Sequence, residues 1–411
     1  MKQILSILLL ILGVTVQGQN TNNHVIAGSI DSIHSKILNE KRKIWVYLPN
    51  SNPQTIYAHQ RYPVVYLLDG DAHFYSVMGM IQQLSEVNGN SVCPQMIVVG
   101  ILNTDRTRDL TPTHVAGGPY LDSVSSSTSG GGENFTAFLE KELIPHIDSL
   151  YPTAPYRMLI GHSFGGLMAV NILINHPGIF NSYLAIDPSL WWDNQKLLRQ
   201  AATVLQQNKF KGKSLFVGVA NTMKPGMDTL QVRNDTSLAT LHIRSILEFI
   251  TLLKKNAANG LHADFKYYND DDHGSVPLIA EYDALHFTFR NYRLPSFQNL
   301  LDSSFNADSA ITVHFKNVSV QMGYDVLPPE PLINQLGYTF LQNKMPDKAY
   351  LFFEKNIRNY PGSFNAYDSM GDFYDAKANT KKAIEYYSKA LKLNDNPETK
   401  AKLKKLQLKK T

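Results

Sequence analysis

YRMLIGHSFGG, residues 156–166, is the stretch that decides the fold. Its apolar run Met158–Ile160 predicts a buried strand, and helix-like sequence resumes at Leu167 after a glycine-rich break. The break matches G-x-S-x-G, in which a serine occupies a sharp strand-to-helix turn. Such a turn holds the Ser163 hydroxyl clear of the backbone, beside a base and a backbone N–H for an oxyanion. The motif predicts a nucleophilic serine, with an ordinary glycine-rich turn as the alternative.

Other short apolar runs predict a mostly parallel sheet around this strand. Val64–Leu68 is almost continuously apolar, which is typical of a strand buried on both faces. Similar runs, separated by helix-length segments, lie at Met96–Leu102, Tyr183–Ile186, Leu215–Val219 and Phe265–Tyr268. Lys36–Leu48 alternates in charge and predicts an antiparallel hairpin at the sheet edge. The alternation of strand and helix predicts a doubly wound α/β sheet, in which ligands bind beyond the carboxyl ends of the strands.

Composition and the first residues narrow the functional classes. The 411 residues are 43% hydrophobic, which suits one large α/β core and a small second domain. The net charge of +4 is weak and its basic residues concentrate near the C-terminus, so no nucleic-acid partner is predicted. Residues 1–18 carry one early lysine, an apolar run and small residues before Gln19, which predicts a signal peptide and an exported, periplasmic or secreted protein. An uncleaved anchor is the alternative, and no stable membrane span is predicted after cleavage.

A base and an acid are expected in later strand-end loops, because enzymes with this motif carry Ser, acid and His in that chain order. His273 follows the last predicted strand and precedes a helix start, so it is the predicted base. The loop after Leu215–Val219 has no carboxylate directly at the strand end. Asp228 is the first candidate acid and Asp235 the second, although Asp235 also suits a helix N-cap. A Ser-His dyad without an acid is the third possibility.

Other strand-end residues are candidates for binding. The N–H groups of Asp71 and Phe164 are predicted to form an oxyanion hole, with a plain Asp-Gly turn as the alternative for Asp71. Arg108 is a possible substrate contact in a loop whose Arg and Asp alternation otherwise indicates mutual salt bridges. Trp191 and Trp192 are costly to expose, so they are predicted either to line a pocket or to be buried in a cap.

Five motifs, in this order and spacing, resemble the putative esterase family, which includes ferric-enterobactin esterases, esterase D and the mycolyltransferases. They are LLDGD (67–71), NTDRTRDLTPTH (103–114), GHSFGG (161–166), DPSLWW (187–192) and DDDHGSVP (270–277). The resemblance implies an α/β-hydrolase fold with Ser163 as nucleophile, His273 as base, and Asp71 and Phe164 around the oxyanion. The family's usual acid after its strand is missing here. Some siderophore esterases rely on a dyad, so the third member stays open.

The pattern changes to helical periodicity from Pro331 onward. Small and aromatic residues recur at an offset of 34, as in Gly337 and Gly371 or Phe353 and Tyr387, which is the tetratricopeptide period. Two such repeats cannot bury their faces alone, so they are expected to dock on the first domain or to end in a capping helix. A plain helical appendage is the alternative to a partner-binding or self-associating domain.

The predicted organisation is a signal peptide at 1–18, an α/β-hydrolase esterase domain at 19–295, a linker at 296–330 and a tetratricopeptide-like domain at 331–411. The predicted function is hydrolysis of a small-molecule ester, siderophore lactones among the candidates, through Ser163 and His273. An acyltransferase of the same fold and a partner-binding module on a hydrolase scaffold are the alternatives. No metal or organic cofactor is predicted, because no group of ligand-type residues has ligand spacing along the chain.

Overall fold

One eight-stranded sheet forms the centre of the first domain. The computed structural model describes residues 25–49, 55–297 and 300–408, so the signal-peptide prediction for 1–18 lies outside the described residues. The strand order is β1-β2-β4-β3-β5-β6-β7-β8; β1 and β2 pair antiparallel, β2 is antiparallel to β4, and the remaining pairs are parallel. The strands are β1 Ser29–Ser35, β2 Glu40–Tyr47, β3 Tyr62–Leu67, β4 Ile97–Ile101, β5 Thr153–His162, β6 Ser182–Ile186, β7 Ser214–Ala220 and β8 His262–Tyr268. The predicted doubly wound, mostly parallel sheet is confirmed. The antiparallel hairpin at its edge is present, but its first strand is Ser29–Ser35, ahead of the predicted range Lys36–Leu48, which holds the turn and the second strand.

Helices cover both faces of this sheet. Along β3, Val64 and Tyr66 pack into one hydrophobic cluster, whereas Val65 and Leu67 pack into the other, which explains why the strand is continuously apolar. The helices of this domain are α1 Gly70–Ser85, α2 Arg106–Asp109, α3 Gly132–Phe138, α4 Ile144–Leu150, α5 Phe164–Asn175, α6 Trp192–Gln207, α7 Thr229–Asn234, α8 Leu241–Lys255 and α9 Val276–Thr288. Among the described residues, no helix combines the length and apolar character needed to cross a membrane.

The C-terminal region consists of two helical hairpins and one further helix. The helices are α11 Glu330–Gln342, α12 Pro346–Asn359, α13 Phe364–Ala376, α14 Thr380–Leu393 and α15 Pro397–Leu408. A Cβ added to Gly337 would lie 2.6 Å from the Phe353 ring, and one added to Gly371 would lie 2.5 Å from the Tyr387 ring. The repeated glycine and aromatic positions therefore meet where the two helices of each hairpin cross, as the 34-residue offset predicted.

The interval 296–330, predicted as a linker, contains a packed helix, α10 Ala307–Met322. Ile311 and Phe315 of this helix are buried among the side chains of the C-terminal repeats. Val318 and Met322 are buried with the residues of α1 and α9 on the hydrolase side. The helix therefore belongs to both cores, which the linker prediction did not include.

Candidate active site

Ser163 occupies a strained turn between β5 and α5. Its backbone has φ 59° and ψ −112°, a conformation that is costly for a residue with a side chain. The turn is held on both sides, because the Ser163 N–H donates to the Ile186 carbonyl at 2.9 Å and the Ser163 carbonyl accepts from the Leu167 N–H at 2.9 Å. A Cβ on Gly161 would collide with the backbone of Gly165. The two glycines allow strand and helix to approach closely, as the motif predicted.

The two strands that flank β5 are also followed by residues with positive φ. Asp69 after β3 has φ 52°, and Asp187 after β6 has φ 41°. Both strands pair with β5, so their ends lie on either side of Ser163. Strained residues that cluster at the carboxyl edge of a parallel sheet are typical of a functional site.

A buried carboxylate lies against His273. The Nδ1 atom of His273 is 2.6 Å from Oδ2 of Asp187, and Asp187 is fully buried. Because an ionised carboxylate can only accept hydrogen bonds, Nδ1 of the imidazole carries the proton and Nε2 is left as the acceptor. This is the tautomer in which a histidine can take a proton from a serine hydroxyl.

The candidate acids Asp228 and Asp235 have their carboxylates engaged at helix ends. The Asp228 carboxylate caps α7, where it accepts from the N–H groups of Leu230 and Gln231. The Asp235 carboxylate accepts from the hydroxyls of Ser237 and Thr240 ahead of α8. Both side chains are therefore engaged in ending or starting helices, and the position beside His273 belongs to Asp187.

The charge of Asp187 is stabilised in spite of its burial. Burial raises the pKa of this carboxyl, but the contacts with His242 and His273 outweigh that effect and hold the pKa below its usual value. Oδ1 of Asp187 accepts the Ala220 N–H at 3.0 Å. Asp187 is thus held ionised and fixed in orientation.

A second histidine, His162 of the elbow, lies beside His273. Its ring centroid is 4.5 Å from that of His273. Burial, followed by the charges of His273 and His73, lowers the pKa of His162 to about 4. His162 is therefore neutral near pH 7, so it adds no positive charge beside His273.

The predicted oxyanion donors lie at two helix starts. Asp71 is the second residue of α1, and Phe164 is the first residue of α5. The N–H groups of a first helical turn have no partner within the helix, and they form the positive end of the helix dipole. Both groups are therefore of the kind that stabilises an oxyanion, and their assignment to this role stays a prediction.

Arg106 and Arg108 lie in the same loop but have different ion-pair partners. Arg108 pairs with Glu40 at 2.7 Å and with Asp109 at 2.7 Å, which is the salt-bridge alternative. Its neighbour Arg106 instead forms a two-point ion pair with Asp69, at 2.7 and 2.9 Å, and its guanidinium lies 5.3 Å from the Phe164 ring centroid. Arg106 thereby braces two residues that flank the elbow.

A cavity of about 340 Å³ opens in front of Ser163. Its wall contains Ser163 and His273 together with His242, Ser189, Tyr120 and Trp191. Trp191 packs edge-on against Tyr120, with the two ring centroids 4.7 Å apart. The Trp192 indole N–H instead donates to the Thr113 carbonyl at 3.0 Å. Trp191 thus lines the pocket in front of the serine and Trp192 does not, and the volume suits a small organic ligand.

One group of side chains has the donor set of a metal site. Donor atoms of Asp187, His242 and His273 lie within 4.8 Å of one another, although no such group was visible from spacing along the chain. In this structure the same Oδ2 atom of Asp187 engages both imidazoles by hydrogen bonds, at 2.7 and 2.6 Å. The three side chains therefore form a hydrogen-bonded group centred on the Asp187 carboxylate.

Comparison with known proteins defines the class. A family model described as putative esterase matches residues 35–246, about half of the chain, so the chain belongs to this family and is a carboxylic ester hydrolase. A tetratricopeptide repeat model matches residues 364–397.

Individual relatives carry more specific names. The chain is 27% identical to the ferri-bacillibactin esterase BesA of Bacillus subtilis, over 61% of this chain and 86% of that protein. It is 28% identical to a siderophore triacetylfusarinine C esterase of Aspergillus fumigatus, over 56% and 82%. A crystal structure of an IroE-like serine hydrolase from Shewanella oneidensis superposes with a TM-score of 0.68 at 30% identity, covering 80% of this chain and 99% of that one.

Sequence reasoning missed Asp187 and His242 for different reasons. Asp187 begins the quoted motif DPSLWW and directly follows a predicted parallel strand next to β5, so its position was a usable signal. The chain order Ser, acid, His points instead to the loop after the following strand, β7, which has no carboxylate at its start. His242, the second residue of α8, has no distinguishing neighbours in the sequence, so only the folded chain reveals it.

Proposed function

We propose that this chain is an exported serine esterase that works through an acyl-enzyme, with Ser163 as nucleophile, His273 as base and Asp187 as acid. The observation that carries the proposal is the 2.6 Å contact between His273 Nδ1 and Asp187 in the wall of the cavity that also contains Ser163. That contact fixes the tautomer in which Nε2 accepts a proton. The strained Ser163 backbone supports the same assignment.

The reaction follows from these groups. Ser163 Oγ attacks the ester carbonyl carbon while its proton passes to His273 Nε2, and the N–H groups of Asp71 and Phe164 hold the oxyanion. The alcohol then leaves with the proton from His273. A water molecule attacks the acyl-enzyme, His273 accepts the water proton, and the carboxylic acid departs as Ser163 regains its hydrogen. Asp187 stabilises the imidazolium in both steps.

Siderophore esters are the substrate class we propose. Two relatives are named for esters of this kind, bacillibactin and triacetylfusarinine C. The aromatic wall formed by Tyr120 and Trp191 suits the planar or apolar groups that flank such an ester carbonyl. The cavity of about 340 Å³ in front of Ser163 is large enough to hold the part of such a substrate around one ester bond.

The direct test is turnover by the wild type and by Ser163→Ala. We expect the wild type to hydrolyse short p-nitrophenyl esters and a ferric siderophore ester, with release of free carboxylic acid detected by mass spectrometry. Ser163→Ala should lose both activities and keep its melting temperature. Wild-type activity retained by Ser163→Ala would refute the mechanism, and activity on simple esters alone would refute the substrate class.

Export is part of the same proposal. The residue pattern of 1–18 is that of a signal peptide, and cleavage is expected before Gln19. Mass spectrometry of the protein recovered from an expressing bacterium should give an N-terminus at Gln19. An N-terminus at Met1 in all fractions would contradict export by cleavage.

A further inference from the structure

Two imidazoles share one oxygen atom of the acid. Oδ2 of Asp187 is 2.6 Å from His273 Nδ1 and 2.7 Å from His242 Nε2, and Oδ1 is occupied by the Ala220 N–H. Each member of a Ser-His-Asp triad has its part in the proposed reaction, but nothing in that reaction calls for His242. Its place on the acid therefore needs a separate explanation.

His242 lies next to a turn that is held by hydrogen bonds. It is the second residue of α8, directly after the short 3-10 turn Leu238–Thr240. The Thr240 hydroxyl donates to the Asp235 carboxylate at 2.8 Å, and Arg244 donates to both Thr240 and the Ser237 carbonyl. The hydrogen-bonded turn fixes the direction of the His242 side chain. A residue that positions another side chain needs to be fixed in this way.

The charge state of His242 changes what it does to the site. In the neutral form, its Nε2–H donates to Asp187 and helps to fix the carboxylate for His273. In the protonated form, it places a cation beside His273, since the two ring centroids are 5.4 Å apart. His273 must itself become cationic during the reaction, so a positive charge on His242 opposes that step.

We propose that His242 is a positioning residue that fixes Asp187 when neutral and switches the esterase off when protonated, so that activity on the acid side depends on two protons. This inference rests on the proposed Ser163 mechanism. It deepens that mechanism by adding a regulated group that touches the acid and lines the substrate cavity.

The other titratable groups around the pair are accounted for. His162 faces His273 from the elbow, and its pKa of about 4 keeps it neutral where ordinary histidines titrate. Asp272 precedes His273 in the same loop, and its carboxylate accepts backbone N–H groups of Gly274 and Ser275, which holds its pKa low and its charge constant. Tyr120 lies across the cavity with its hydroxyl bonded to the Leu238 carbonyl.

Two substitutions separate the hydrogen bond from the charge. His242→Gln can still donate an N–H toward Asp187 but cannot be protonated, whereas His242→Leu can do neither. We would measure kcat/KM for p-nitrophenyl acetate between about pH 5 and pH 8, with EDTA present to exclude trace metal. Melting temperatures would show that both variants are folded.

The expected results differ in kind for the two variants. The wild-type acid limb should be steeper than a one-proton curve, and His242→Gln should follow a one-proton curve whose midpoint lies at lower pH. His242→Leu should lose roughly tenfold or more in kcat at every pH, because the acid is no longer fixed. An unchanged slope in His242→Gln, or full kcat in His242→Leu, would overturn the proposal.

A readout without turnover separates this inference from the mechanism it rests on. In Ser163→Ala, proton NMR should show two low-field imidazole N–H resonances from the contacts with Asp187, and adding His242→Gln should remove one of them. A single resonance in Ser163→Ala would mean that His242 does not share the carboxylate, whatever the activity. Absence of all wild-type esterase activity together with two resonances would instead refute the proposed function and leave the contact intact.

Discussion

The carboxyl edge of the sheet and the C-terminal repeats are built on opposite principles. At the sheet edge, His273 and Asp187 are 86 residues apart in the chain and meet through one hydrogen bond. In the repeats, Gly371 meets Tyr387 within one helical hairpin, and the contact is one of close packing. The first region depends on polar groups held in strained positions, and the second depends on small side chains at helix crossings. Changes in the first should therefore alter chemistry, and changes in the second should alter stability.

The largest effect is expected from Asp187→Asn. An amide can present N–H where Oδ2 must accept, so His273 would no longer be held in its reactive tautomer. Loss of such an acid lowers kcat by roughly 10³- to 10⁴-fold in related triads. The measurement is kcat on a p-nitrophenyl ester.

Asp228→Asn is the matched control for this change, because asparagine is also a good N-cap and α7 should persist. It should keep kcat within about twofold of the wild type. If Asp228→Asn lost as much activity as Asp187→Asn, the assignment of the acid would be wrong.

Asp187 and Asp228 also show how much of the candidate site could be predicted from the sequence. The sheet and the turn that carries Ser163 were predictable, because each depends on a local pattern followed by a known type of turn. The contact between Asp187 and His273 was not, because several strand-end loops carry carboxylates and only the packing of β6 beside β5 places Asp187 near His273. The contact between α8 and the acid was beyond sequence reasoning, because a single histidine near a helix start carries no signal.

The repeat positions were easier to predict, because their contacts join residues that are close in the chain. A 34-residue offset brings Gly337 and Gly371 into equivalent places, and each contact lies within one hairpin. The packing of α10 into both cores was missed, because amphipathic segments next to prolines resemble linkers in composition. Local contacts could be predicted from the sequence, and contacts between distant segments could not.

A second prediction concerns Glu281, a buried carboxyl of α9 beneath the site. Burial raises its pKa to about 8, and its Oε1 atom is 3.9 Å from His73 Nδ1. The folded state therefore keeps a proton that the unfolded chain releases above about pH 4.3, so stability falls as the pH rises from that value toward 8. The Glu281→Gln protein should lose this dependence, a difference on the order of a few kcal/mol at pH 8.

Melting temperatures at about pH 5 and pH 8 test this expectation. Glu140→Gln, at an exposed glutamate, is the matched control and should keep the wild-type dependence. A wild-type slope in Glu281→Gln would show that Glu281 is ionised in the folded protein. It would then belong to the charged groups of the site region.

The smallest effect is expected in the repeats. Gly371→Ala places a Cβ about 2.5 Å from the Tyr387 ring, so α13 and α14 must move apart. Overpacking of this kind costs about 1–3 kcal/mol, and kcat should stay at the wild-type value. Denaturant unfolding and the ester assay together measure both quantities.

Gly362→Ala is the control for this change, because a Cβ there meets nothing within 4 Å. Equal stability of the two variants would contradict the packing argument. A large fall in kcat for Gly371→Ala would break the separation between the two regions and would couple the repeats to the site.

The most direct test of the account is covalent labelling by a fluorophosphonate probe, with the labelled peptide located by mass spectrometry. The wild type should carry one label on Ser163, and Asp187→Asn should react far more slowly, because the hydroxyl is activated through His273. Ser163→Ala should not be labelled. Absence of labelling in the folded wild type, or a label at any other residue, would contradict the assignment of Ser163 as the nucleophile.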